Sequence, residues 1–316
     1  MAPVLLSTTA TIVLVIVVLI GGGVAGGLLW YHDLPQSTPT TLVVAVGDNV
    51  SVNYIGIMGS GAQQGKVFDT SIYSVAFDNI AYPKGLQFSP RGPSPSNFTP
   101  LHVFVGSNAP SGGYTLNGQS YVQVVTGFWQ GLLGLPGNET RTISVPASLG
   151  YGPLDQSCVA TKSLTYTLPV VQTMTGVAFQ KAYPGVTSTT GAMFSDPHYG
   201  WPVVILSANS TFVTLENLVH PGYTTSPAGW PVVVTNVTST PNGSGNITLV
   251  NELYPSQAGQ IEGKDFLGNG PCSSNSGGKF IVSSVDPAQG TYTENFNQEV
   301  QGQTLIFVVT IVDIFP

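Results

Sequence analysis

Two cysteines, four histidines and seven Asn-x-Ser/Thr triplets are the residues of this 316-residue chain whose types and spacing could do chemistry. Cys158 and Cys272 form no CxxC pair, and His32, His102, His198 and His220 are scattered singly, so the ligand spacing of a metal site is missing. No metal and no cofactor is expected. An even pair of cysteines leaves two readings open, a disulfide closing a long loop or two buried thiols. The triplets at Asn49, Asn97, Asn138, Asn209, Asn236, Asn242 and Asn246 are acceptor sequences for N-glycosylation. Together they favour an exported, glycosylated domain.

Charge is sparse. Eight Lys/Arg and 15 Asp/Glu make 7% of the residues and a net charge of −7, against about 25% charged residues in an average soluble domain. Eight cations cannot neutralise a phosphate backbone, so nucleic acid is excluded as a partner. Hydrophobic residues at 42% exclude a disordered chain. Few carboxylates also mean little charge-based stability to lose in acid, so an acid-tolerant domain is expected.

The elements that must hold these residues begin with an apolar run. Thr8–Trp30 carries no charge over 23 residues, and a bilayer span needs about 20. Trp30 and Tyr31 suit the membrane interface. The competing reading, a cleaved signal peptide, lacks basic residues ahead of the run and has a shorter apolar core of roughly 7–15 residues. Residues 1–31 are therefore read as a transmembrane anchor and 32–40 as a linker, rich in Pro, Ser and Thr at Leu34–Thr40. With the sequons downstream, the expected location is the cell membrane, single-pass, with the C-terminal domain outside.

The body reads as strands. Thr41–Val46, Val50–Ile57, Val122–Val125, Thr142–Val145 and Leu305–Ile314 are rich in β-formers, while Phe128–Leu135 (FWQGLLGL) has apolar residues at helical spacing. An antiparallel sheet wrapped on one short helix predicts the α+β class.

Five stretches, in order, resemble the FKBP-type peptidyl-prolyl isomerases. They are Gly47-Asp48 with Val52–Gly56, Gly65–Ser71 (GKVFDTS), Val124–Leu135 (VVTGFWQGLLGL), Glu139–Gly152 (ETRTISVPASLGYG) and Leu305–Ile314. The resemblance implies an FKBP-like isomerase domain over 41–155 and 293–316. About 140 residues intervene, where the SlyD-like branch of the family carries an insert-in-flap chaperone domain. Asn297–Leu305 (NQEVQGQTL) is similar to the segment that closes that insert, without its His and Pro. The insert, 156–292, repeats itself. GWPVV at Gly200–Val204 recurs at Gly229–Val233, 29 residues on, and each copy is followed by a return strand, Thr214–Asn217 and Thr248–Glu252. Phe280–Val285 with Thr291–Asn295 is a weaker third copy. A β-rich insert of two or three related hairpins is expected.

The resemblance also implies a site. Tyr54, Phe68, Leu101, Val124, Val125, Phe128, Tyr151 and Phe307 match the family's pocket lining, with Phe128 as the floor. Val125 would offer its backbone N–H and Tyr151 its hydroxyl to a peptide, and Asp69 would sit at the rim near Tyr54. The family's pocket needs no nucleophile. Rotation about an X–Pro bond has a barrier of about 18–20 kcal/mol because amide resonance is lost, and a site lowers it by binding the twisted imide better than the planar one. Leu101 stands where an aromatic is common, and Asn138 replaces a glycine but tolerates φ > 0. The loops 72–99 and 107–120 are longer than the family needs. The implied function is prolyl isomerisation and folding assistance for proline-containing or unfolded exported polypeptides. The alternatives are a peptide-binding module without catalysis and a structural envelope protein. Joint retention of Tyr54, Phe68, Asp69, Phe128 and Tyr151 favours the enzyme.

Overall fold

The computed structural model describes residues 42–107, 114–116, 118–239, 244–274 and 276–316. The expected transmembrane anchor and linker lie outside them. No helix among the described residues is long and apolar enough to cross a membrane.

Alternating apolar residues make β1 (Asn49–Met58) a strand with one face in the core. β2 (Val67–Thr70) and helix α1 (Tyr73–Phe77) follow, then β3 (Leu101–Phe104) and a small hairpin, β4 (Tyr114–Leu116) and β5 (Gln119–Tyr121). Helix α2 (Thr126–Leu132) and β6 (Thr140–Val145) lead into the insert. There β7 (Val159–Ser163), β8 (Thr165–Pro169) and β9 (Val171–Thr175) run in succession to helix α3 (Gly176–Ala182). Three triplets come next: β10 (Met193–Ser195), β11 (Pro202–Ala208) and β12 (Phe212–Asn217); β13 (Thr224–Thr225), β14 (Val232–Val237) and β15 (Asn246–Asn251); β16 (Glu262–Lys264), β17 (Lys279–Asp286) and β18 (Thr291–Asn295). The last strand is β19 (Leu305–Phe315).

The class is mostly β, which corrects the α+β expectation. Among the described residues 19 strands in antiparallel sheets stand against three α-helices of five to seven residues. Composition could not separate the two because the one helix-periodic stretch is real but short. α2 starts two residues before the expected Phe128 and stops at Leu132, where Leu133 turns extended and Gly134 takes a left-handed φ of +74°. Leu42–Val46 is loop apart from a single bridge between Val43 and Pro136, and Val122–Val125 is loop apart from a bridge between Val122 and Val103. Both expected strands fail because neither finds a partner strand over its length.

The first sheet runs β2-β1-β19-β6, with β3 also paired to β1. Its core holds Val50, Val52, Tyr54, Phe128, Leu132, Val145, Phe307 and Val309, so α2 covers the same apolar face that β1 and β19 present.

The insert is three sheets with one plan. β7, β8 and β9 each open a sheet, and the later triplets return to them in reverse order: β10-β11-β12-β9, β13-β14-β15-β8 and β16-β17-β18-β7. Cys158, Leu164 and Val170, six residues apart, sit just ahead of the opening strands. Their carbonyls accept N–H bonds from Phe296, Asn251 and Asn217, the equivalent ends of the three return strands. A register shift recurs at the same place in each, at Ile205/Ser207, Val234/Asn236 and Val282/Ser284. The three sheets close on one core.

Two copies lock alike. The Trp201 indole donates to Asn217 Oδ1 at 2.9 Å and Trp230 to Asn251 Oδ1 at 2.8 Å. In the third copy Phe296 stands where those asparagines stand and packs on Phe280, ring centres 5.1 Å apart. At that corner Cys158 is disulfide-bonded to Cys272, Cα atoms 5.3 Å apart. The bond resolves the choice between disulfide and thiols, and over a separation of 114 residues it contributes about 4–5 kcal/mol in the chain-entropy account. Trp201 is 1% exposed and stacked on Tyr199 at 4.4 Å. Trp201→Ala is therefore expected to cost about 3–5 kcal/mol in urea unfolding, Trp201→Phe clearly less because a ring remains. A loss under about 1 kcal/mol for the alanine variant would show that the repeat lock is not a core element.

Candidate functional site

β1, β2, β19 and α2 bring four rings of the expected pocket together. Tyr54 meets Phe128 edge-on at 5.9 Å, Phe128 meets Phe307 at 4.8 Å, and Phe307 meets Phe68 at 5.6 Å. β1 passes beneath Phe68 at Gly56, where a Cβ would come within 2.6 Å of the ring tip, so only glycine leaves it room. The rings of Tyr54, Phe128 and Phe307 are 4%, 2% and 4% exposed and belong to the core beneath the site.

What opens to solvent is a cleft of about 340 Å³ lined by Phe68, Asp69, Tyr151, Gln87 and Gln298–Val300. Tyr151 follows the short 3-10 turn Ala147–Leu149 and is 45% exposed. Burial and the charge of Asp69 push its hydroxyl up from the ordinary tyrosine range, so it stays a donor at neutral pH. Leu101, Val124 and Val125 are half-buried against the core and do not line this cleft. Among the described residues no acceptor meets the Val125 N–H, since Val125 precedes the first turn of α2 and only its carbonyl is used, by Phe128 and Trp129.

Asp69 is held by three groups. The Tyr54 hydroxyl donates to its Oδ2, the Thr70 N–H donates to Oδ1 at 2.7 Å, and the Arg91 guanidinium stands 3.8 Å away. Arg91 also donates to the Tyr54 hydroxyl at 2.6 Å and lies over its ring at 5.5 Å. Burial, then the Asp69 charge, raises the Tyr54 hydroxyl far above the tyrosine range, so it too remains protonated.

Sequence reading missed Arg91 and Glu299. Arg91 is the one arginine of the 72–99 loop, and a lone arginine in a charge-poor loop was the available signal. The loop is shaped by α1, by the rings of Tyr73, Phe77 and Phe98, and by a clamp on the chain leaving the insert. In that clamp Glu299, buried, accepts the N–H groups of Leu86 and Gln87 at 2.8 and 3.0 Å, and its own N–H donates to Gln87 Oε1 at 2.9 Å. One wall of the cleft is thus built by the return from the insert.

Of the seven sequons, Asn97, Asn138, Asn209, Asn236 and Asn246 are exposed, and Asn242 lies outside the described residues. Asn49 is corrected as a glycan site: it is 6% exposed inside β1, where a sugar has no space. Among the described residues no cluster of His, Cys, Asp or Glu has the arrangement of a metal site.

No protein-family model matches this chain, and no curated protein matches it.

Proposed function

We propose that the domain is a peptidyl-prolyl cis-trans isomerase that assists folding of exported, proline-containing polypeptides from a membrane anchor facing outside. The observation that carries this reading is the ring set Tyr54, Phe68, Phe128 and Phe307 beneath a cleft edged by Asp69 and Tyr151. A prolyl imide against Phe68 leaves water, and the twisted form, with less charge separation, gains most from that apolar contact. The Tyr151 hydroxyl, at the cleft, is the donor available there to a substrate carbonyl. Arg91 and Asp69 hold the Tyr54 hydroxyl, so that the ring wall does not move as the substrate turns.

A second reading, a peptide-binding module with little catalysis, draws on the burial of Tyr54, Phe128 and Phe307, which leaves only the rim to touch a ligand. A protease-free assay of cis/trans exchange in a short proline peptide decides between them. Exchange accelerated by the full chain at micromolar concentration is the expected result; binding without acceleration would leave the second reading.

A further inference from the structure

We propose that the insert carries a site for the cationic side chain, lysine or arginine, of a polypeptide partner. A cleft of about 240 Å³ opens where the three insert sheets meet, with Tyr166, Tyr199, Phe266, Phe280 and Tyr292 among its walls. Glu294 is at its side, 8% exposed. β18 turns Tyr292 and Glu294 to the same inner face, because alternate residues of a strand share a face.

The carboxylate is only half satisfied. Its Oε1 accepts from the Tyr292 hydroxyl at 3.1 Å. Its Oε2 meets no hydrogen-bond donor among the described residues. Lys162, the nearest cation, stands 3.9 Å away, beyond hydrogen-bond reach and with its side chain 40% exposed. Asp265, also in the wall, is already engaged by the N–H groups of Gly268 and Gly270 at 3.0 and 2.7 Å. Lys264 lines the rim beside it.

On this buried residue, a carboxylate oxygen with no hydrogen-bond donor among the described residues favours an N–H cation, and a charge-assisted bond there is short and strong. Aromatic walls favour the same head group through their ring faces and accept its apolar stem. A side chain offers both a cationic tip and such a stem. Lys162 is then an internal competitor that the ligand displaces from Glu294. The site requires no proline and does not depend on the isomerase reading.

The test is a calorimetric titration of the full chain with a blocked glycine pentapeptide carrying lysine at its centre, against the same peptide with norleucine. The lysine peptide is expected to bind about tenfold or more tighter than the norleucine one. Glu294→Gln should abolish that preference, and Lys162→Met should strengthen lysine binding several-fold. A structural role for the ion pair would make the second variant bind no better. Equal binding of the two peptides, no binding of either, a preference that survives in folded Glu294→Gln protein, or lysine binding by Lys162→Met no tighter than by the unmodified protein overturns the site. If Glu294→Gln does not fold, the peptide pair and Lys162→Met decide.

Discussion

Phe128→Ala is expected to lower kcat/KM for a proline peptide by about tenfold or more, the loss of roughly 1.4 kcal/mol of transition-state binding. Phe128 lies at 2% exposure between Tyr54 and Phe307, so its removal unpacks the rings beneath the cleft on which Phe68 leans. The same change should cost about 3–5 kcal/mol of stability in that core. The two effects are separated by measuring turnover where circular dichroism shows the variant folded. Tyr151→Phe is the comparison. It keeps the ring at the cleft and removes one donor, so a fall of only about two- to fivefold is expected, the scale of one exposed hydrogen bond. Wild-type turnover in folded Phe128→Ala protein would remove the ring set from the mechanism.

Stability is expected to collapse in alkali well before it fails in acid. Burial raises the hydroxyls of Tyr54, Tyr199 and Tyr292 far above the ordinary range. Tyr183 is pushed up to about 12, by burial and then by the Asp196 charge. In the unfolded chain each ionises near pH 10. Above that pH the unfolded state binds fewer protons than the native one, so the stability these groups hold below pH 10 is lost as pH rises. The slope is up to about 1.4 kcal/mol per tyrosine per pH unit.

On the acid side the shifted carboxyls oppose each other: Glu294 is raised, while Asp265 and the exposed Asp155, which accepts from Ser157, are lowered. Burial raises Glu294, whose proton uptake adds stability as pH falls through its shifted range. Asp265 is also desolvated, but N–H donors led by Gly270 hold it low, so its contribution is present at neutral pH and is lost as pH falls through and below the ordinary carboxylate range. Urea midpoints at pH 5, 8 and 11 test this. Near-equal values at 5 and 8 with a steep fall at 11 are expected, and Tyr292→Phe should flatten the alkaline fall by one tyrosine's share. A midpoint at pH 11 equal to that at pH 8 would contradict the assignment.

Periodicity and turn residues were enough to place β1, β6 and β19 to within a few residues, because an alternating apolar face dictates a strand wherever it is buried. GWPVV, read twice, identified two copies of the insert unit, since a tryptophan ahead of a β-branched run keeps its environment in each copy. The partners were not legible. β7, β8 and β9 are short and neighbour one another in sequence, yet each pairs with residues 37 to 136 positions away, a choice made by the shared core and not by local preference. The third copy reads only weakly in the sequence because Phe296 and a disulfide replace its Trp–Asn lock.

At the candidate site the four rings were named through the stretches that resemble the FKBP-type family, and the fold brings them together. Arg91 on Tyr54, the Glu299 clamp and the burial of Asn49 could not be named that way. Each depends on a loop meeting a residue far along the chain, and such a meeting is set by the closure of the tertiary fold, which no local sequence preference encodes.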